Sequence, residues 1–234
     1  MNLIIDIGNT FVKYAVFLEG KIIKVARSHN VDYNAIDVFS KDYNISRTII
    51  SSVRKTCKID VKSPLLIFNH KTRIPIVNLY KTPETLGLDR LANMVGASSI
   101  FLNKNILVVD AGTCITYDLI NENKQYLGGR ISPGIQMRYD ALNRYTDFLP
   151  KLEFKMHTKI IGDDTNSSIY SGVNRGVISE VETIINDFRK EINDLFVIVT
   201  GGDTFFFEKE LKSSIFADQE LLLKGLNQIL EYNE

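Results

Sequence analysis

The chain has 234 residues, 44% of them hydrophobic and 24% charged, a composition ordinary for a globular protein. That length allows one large domain or two on a shared core. Its 28 Lys and Arg balance 28 Asp and Glu, which argues against a general nucleic-acid binder, and no apolar run approaches the roughly 18 residues of a membrane span. The opening MNLIIDIGNT has no basic segment, and Asp6 interrupts its apolar stretch, so no signal peptide is expected. Cys57 and Cys114 are the only cysteines, and His29, His70 and His157 have no metal-ligand spacing. A reducing cytoplasm, with no membrane or nucleic-acid partner, is the expected setting.

Three strand-like runs come first, Asn2–Ile7, Phe11–Leu18 and Lys21–Ser28. Gly8-Asn9-Thr10 and Glu19-Gly20 join them as in an antiparallel meander. Asp32–Tyr43 is predicted to be helical, Arg47–Val53 and Leu65–Phe68 to be short buried strands, and Leu91–Leu102 a helix begun after Asp89-Arg90. The second half restarts in the same way. Ile106–Ala111 and Cys114–Ile120 are strands around the turn Gly112-Thr113, and Asn121–Lys124 leads into a third strand, Gln125–Arg130. Residues 166–192 have a helical stripe at Val177, Val181, Ile184, Ile185, Phe188 and Ile192, which is either core or a dimer surface. Leu195–Val199 is a strand ending in Thr200-Gly201-Gly202, and Gln219–Tyr232 is a last helix with Leu222, Leu223, Leu226, Ile229 and Leu230 on one face.

The pattern is a repeat. Asp6-Ile7-Gly8-Asn9-Thr10 and Asp110-Ala111-Gly112-Thr113 occupy equivalent strand–turn–strand positions 104 residues apart. The expectation is a duplicated α/β chain, 1–104 and 105–234, with a nucleotide cleft between the halves. Glycine at such a turn lets backbone N–H groups approach a phosphate, Thr adds a hydroxyl donor, and Asp can hold Mg²⁺ through water. For either hairpin alone an ordinary β-turn explains as much. The pair, with a late Thr-Gly-Gly, resembles the nucleotide site of the actin, heat-shock ATPase and sugar-kinase superfamily, whose fold is actin-like (ribonuclease-H-like).

A more specific resemblance lies between the hairpins. Tyr80 with Leu86-Gly87-Leu88-Asp89-Arg90 resembles the signature of type III pantothenate kinase. That family's other motifs follow in order: Asp110–Thr113 with Thr116 and Asp118, then Gly128–Gly134, Ser171-Gly172 with Gly176, and Thr200-Gly201-Gly202. Asp203-Thr204 departs from the small residue expected next. The resemblance implies phosphorylation of pantothenate by ATP, the first step toward coenzyme A, by a homodimer using Mg²⁺ and a monovalent cation, K⁺ or NH₄⁺. It makes Asp89 the general base, and gives ATP to Asp6, Ile7, Gly8, Asn9, Thr10, Phe11, Val12 and Lys13 with Thr113, Gly201 and Gly202. Substrate falls to Tyr80, Gly87, Leu88, Asp89 and Arg90, and to Thr165 from a neighbouring subunit. Asp110 would bind the monovalent cation and Asp6 the Mg²⁺ through water.

Plainer readings stand beside these. Asp89 and Arg90 could be a helix cap and a solvated charge, Tyr80 an edge-strand amphipath, and Thr165 the N-cap of the long helix. Gly128–Gly134 could be a surface turn and Cys114 a small buried residue. A kinase of another small alcohol would keep the hairpins and differ over Tyr80–Arg90, whereas a non-catalytic nucleotide-binding regulator should have lost Asp6, Asp89 or Asp110.

Overall fold

The computed structural model describes all residues except 30, 55–60, 157 and 158, so Cys57 and His157 lie outside the described residues. The elements in chain order are β1 (Asn2–Ile7), β2 (Val12–Leu18), β3 (Lys21–Ser28), α1 (Tyr33–Ser40), β4 (Arg47–Ser52), β5 (Leu65–Ile67), β6 (Val77–Asn78), α2 (Leu88–Ile100) and β7 (Asn105–Ala111). There follow β8 (Cys114–Ile120), β9 (Gln125–Pro133), α3 (Ile135–Arg144), α4 (Thr165–Glu191), β10 (Leu195–Thr200), α5 (Thr204–Glu210), β11 (Phe216–Ala217) and α6 (Leu221–Tyr232). Two compact units result: Met1–Asn103 with Ile120–Gly128 and Glu220–Glu234, and Lys104–Leu119 with Gly129–Gln219. The segments 120–128 and 220–234, expected in the second half, thus cluster with the first unit.

The first sheet has the order β3-β2-β1-β4-β5, with β1 antiparallel to β2 and parallel to β4. The second contains β9-β8-β7-β10-β11, the same order strand for strand, with β7 parallel to β10, and β6 extends it beside Gln125 and Tyr126. The duplication read from two short motifs therefore extends to the strand order of both sheets.

In the first unit, alternate residues of β1 and β2 (Leu3, Ile5, Ile7, Tyr14 and Val16) pack with Ile36 and Phe39 of α1. Ile4, Ala15 and Ile49 are buried too, since successive strand residues point to opposite faces and both faces here are covered. Helix α6 belongs to this unit, tied to β1 by a buried hydrogen bond from Asn2 Nδ2 to Asn227 Oδ1 (3.0 Å). The second unit's core joins Leu107, Val109, Tyr117, Val197 and Val199 of its sheet to Val177, Val181 and Ile185 of α4. The stripe of α4 is therefore core, and its 3.6-residue period exists because one helix face lies on the sheet.

Several boundaries differ from expectation. Helix α2 starts at Leu88, so Asp89 and Arg90 lie inside its first turn and Gly87 is the N-cap. The N-cap of α4 is Asp164, not Thr165: Asp164 Oδ1 accepts the Ser167 N–H and Ser167 Oγ accepts the Asp164 N–H in a capping box. Helices α3 and α5 arise where no helix was predicted, because α3 buries only Ile135 and Tyr139 and α5 is a single short segment containing three adjacent phenylalanines.

Candidate active site

In the first unit the chain turns at Gly8–Phe11, closed by the Gly8 N–H donating to Phe11 O (3.0 Å). Asp6 lies opposite Lys13, and Ile7 opposite Val12. The side chains of Ile7 and Val12 point into the core, so at those positions only backbone could meet a ligand. Phe11 stacks obliquely on His29, ring centroids 4.6 Å apart, and the Arg27 guanidinium lies 5.8 Å from the Phe11 centroid. Asp6 is only 8% exposed. In register with it on β4 is Ser51, 1% exposed, whose hydroxyl has no hydrogen-bond partner among the described residues. Beyond β4, Arg54 Nε donates to Gly8 O (3.0 Å) and Nη2 to Asn9 O (3.2 Å).

The predicted substrate residues form a second cluster in the same unit. Leu79 N–H bonds Tyr126 O (3.0 Å) and Tyr80 N–H bonds Asn78 Oδ1 (3.0 Å). The Tyr80 ring lies nearly parallel to that of Tyr126, centroids 6.0 Å apart, and the Arg90 guanidinium sits 5.7 Å from its centroid. Buried Leu86 leads into α2, with its carbonyl 2.8 Å from His70 Nε2. Asp89 is half-buried, and its Oδ1 accepts the Arg90 N–H (2.8 Å), where the helix N-terminus favours a carboxylate. A Cβ on Gly87 would lie 2.3 Å from Asp89 Oδ1, so that carboxylate position requires glycine there. Arg90 is 5% exposed, which rules out the solvated-charge reading; a buried guanidinium is usually paired.

The second unit repeats the hairpin. Gly112 N–H donates to Cys114 O (3.0 Å), Thr113 is exposed, and Asp110 pairs in register with Thr200, as Asp6 does with Ser51. Each hairpin carboxylate thus has a hydroxyl residue beside it on the parallel strand. Gly201 has φ +97°, and a Cβ there would meet Ala111 O at 2.2 Å and Asp110 Oδ1 at 2.5 Å. Only glycine lets this turn lie so close to Asp110. Asp203 N–H then bonds Ala111 O (3.0 Å). The Asp203 side chain does not cap α5, and burial raises its pKa to about 6.

Past Gly129 the chain is held by Glu180 of α4. Glu180 accepts from Ser132 Oγ (2.5 Å), Tyr117 Oη (3.0 Å) and Arg138 Nη2 (2.7 Å). Burial opposes ionisation of Glu180, but those bonds and the Arg138 charge hold its pKa below the usual value. Burial and then the Glu180 charge raise the Tyr117 phenol. The pinned loop reaches the hairpin, Gly134 N–H donating to Thr113 O (3.2 Å). Thr165 lies on a groove of about 890 Å³ between α3 and α4, lined also by Arg138, Leu142, Leu149, Ile169 and Val173.

Tyr80, Asp89 and Arg90 are thus brought together, as are Asp110, Thr113 and Gly201. Sequence reasoning missed Arg54 and Glu180. Arg54 lies in a stretch without motifs, and Glu180 reads as one polar position on a helix. Among the described residues no group of three or more His, Cys, Asp or Glu is placed to hold a metal, and no helix is long and apolar enough to cross a membrane.

The model of a protein family described as type III pantothenate kinase matches residues 2–187. Curated proteins named type III pantothenate kinase are similar along the whole chain. That of Phocaeicola vulgatus is 45% identical over 241 residues, covering 100% of this chain and 99% of its own. That of Bacteroides fragilis strain YCH46 is 41% identical over 239 residues, covering 100% and 98%. Among solved structures, a Campylobacter jejuni protein named for the Baf family of transcriptional activators superposes with TM-score 0.64 at 21% identity, covering 99% of this chain and 98% of that one. The activator of 2-hydroxyisocaproyl-CoA dehydratase from Clostridium difficile, with bound ADPNP, gives TM-score 0.60 at 12% identity, covering 99% and 95%. The fold is the duplicated actin-like α/β fold.

Proposed function

Since this chain belongs to the type III pantothenate kinase family, and so phosphorylates pantothenate with ATP in the first step of coenzyme A synthesis, we propose that Asp89 is its general base. The cluster of Tyr80, Asp89 and Arg90 carries this assignment. The hydroxyl oxygen of pantothenate attacks the γ-phosphorus, the bond from that phosphorus to the ADP oxygen breaks, and the hydroxyl proton passes to Asp89. A carboxylate in hydrogen-bond reach accepts that proton as the new P–O bond forms. Arg90, buried against Tyr80, offers a two-pronged match to the substrate's carboxylate, and the Tyr80 ring, with Gly87 and Leu88, forms a wall of the substrate pocket.

ATP is assigned to Asp6–Lys13 with Thr113, Gly201 and Gly202. The donors fit hard cations. Mg²⁺ keeps several waters and commonly takes only one or two carboxylates beside substrate phosphates, which suits Asp6 in register with the Ser51 hydroxyl, an oxygen without a hydrogen-bond partner among the described residues. Asp110, its Oδ1 against Gly201, is assigned the K⁺ or NH₄⁺. These cations, when bound, offset phosphate charge. Thr165 completes the site of a second copy: its groove and the exposed Tyr145, Phe148, Ile160 and Ile161 support a homodimer. The free thiol of Cys114 suits the cytoplasm.

The test is purified protein with MgATP and a panel of small alcohols in K⁺, NH₄⁺ or Na⁺ at equal ionic strength, with products identified by mass. Phosphopantothenate forming in K⁺ or NH₄⁺ and failing in Na⁺ is expected. Equal rates in all three salts would remove the monovalent cation from Asp110.

A further inference from the structure

Arg54 lies just past β4, where the parallel ladder to β1 runs one step beyond the strand through Val53 N–H to Ile7 O (3.1 Å). Its backbone is pinned by Ser52, whose hydroxyl donates to Arg54 O and accepts from Arg54 N–H, both at 3.1 Å. From this fixed base the half-buried guanidinium reaches the first hairpin and holds the carbonyls of Gly8 (3.0 Å) and Asn9 (3.2 Å).

The consequence follows from peptide geometry. In a trans peptide the C=O and N–H of one plane point in opposite directions, and the chain contains no cis bonds among the described residues. The Gly8 carbonyl shares its plane with the Asn9 N–H, and the Asn9 carbonyl with the Thr10 N–H. A cation bound to both carbonyls turns those two N–H groups to the opposite side of the turn, and pulls electron density from the peptides so that they donate more strongly. Successive N–H groups aimed one way form an anion-binding concavity.

We infer that Arg54 is a positioning residue for nucleotide binding, clamping the Gly8 and Asn9 carbonyls so that the hairpin presents its N–H groups to the triphosphate. This rests on the assignment of Asp6–Lys13 to ATP. Glutamine at 54 removes the charge and the fork. Lysine keeps the charge but has a single ammonium that cannot reproduce the planar two-carbonyl fork.

The experiment measures MgATP and pantothenate kinetics for Arg54→Gln, Arg54→Lys and Thr10→Ala, with ADP titrations by calorimetry in the absence of acceptor. Arg54→Gln is expected to raise KM for MgATP and Kd for ADP by about 10- to 100-fold, the range for hydrogen bonds to charged groups. Arg54→Lys should fall between it and wild type, and KM for pantothenate should hold in both. Loss of fold alone would reduce the active fraction, and hence apparent kcat, without moving KM. If Arg54→Gln does not fold, the lysine variant carries the same test. Nucleotide affinities within twofold of wild type in the Arg54 variants, with Thr10→Ala weakened, would overturn the inference. Unchanged affinity in all three variants would instead show that the hairpin is not the triphosphate site.

Discussion

Asp89 and Asp6 are both carboxylates of the first unit, but they are assigned different work, and substitution separates the two roles. Asp89→Asn keeps size and much of the hydrogen bonding yet cannot take a proton. General-base catalysis supplies about 10²–10⁴-fold, or roughly 2.7–5.4 kcal/mol of barrier, so kcat should fall by that factor with nucleotide affinity nearly unchanged. Asp6→Asn should weaken MgATP use as well as turnover. A variant Asp89→Asn that keeps more than about a tenth of wild-type kcat, outside the general-base range, would place the base elsewhere. Asp203 yields a prediction about stability. Burial raises its folded pKa to about 6, above the unfolded value of about 3.9. The folded state therefore holds this proton more tightly, and the resulting stability is full below the unfolded pKa and lost as pH rises through the folded one. Asn carries no charge at any pH, so Asp203→Asn should gain on wild type between pH 5 and pH 8. Discounted for partial exposure, the gain is about 1 kcal/mol, or roughly 2–4 °C in Tm for a chain of this size. A Tm difference that is the same at both pH values would sink this account.

Among the elements, α4 does the most to organise the second unit. Its apolar face fills the core, its Asp164 cap fixes where the first turn and Thr165 begin, and its Glu180 gathers Tyr117 of β8, Ser132 of β9 and Arg138 of α3. Glu180→Gln keeps the shape but loses the charge opposite Arg138, and its single amide oxygen cannot serve all three donors. With the pair partly exposed, at 21% and 28% for the two side chains, a cost of about 1–2 kcal/mol is expected. The folded pKa of Glu180 is lowered. Its contribution is therefore present above the unfolded carboxylate range and lost as pH falls through the folded value, so wild type and variant should converge in Tm in acid. Thermal melts at pH 7 and pH 4 decide it. A gap that widens in acid would show that the ionised Glu180 is not what holds these elements.

For the whole molecule, the groove bearing Thr165 and the exposed aromatic and aliphatic side chains of its unit predict a dimer with a shared site. Two inactive variants, Asp89→Asn and Thr165→Ala, should partly rescue each other when their subunits exchange. A mixed dimer carries one site with both defects and one with neither. Light scattering that gives a fully active monomer at assay concentration would end this reading.

Much of the fold was legible in the sequence because its signals are local. A hairpin is specified by glycine and its flanking strands within a few residues, and the α4 stripe by a 3.6-residue period. Two hairpins in equivalent positions therefore implied the duplication that the strand orders of both sheets display. Tyr80, Gly87, Asp89 and Arg90 were legible as a motif, since they lie close together along the chain. What only the tertiary structure decided involves partners far apart in sequence, for which no local propensity exists. The return of α6 to the first unit depends on packing that includes Asn227 meeting Asn2, 225 positions away. The placing of Arg54 on Gly8, 46 positions away, follows from the parallel pairing of β4 with β1. The assignment of the long stripe to core came from the sheet it covers. A chain's turns and periods are written residue by residue, but which faces and charges meet is decided only when burial brings distant segments together.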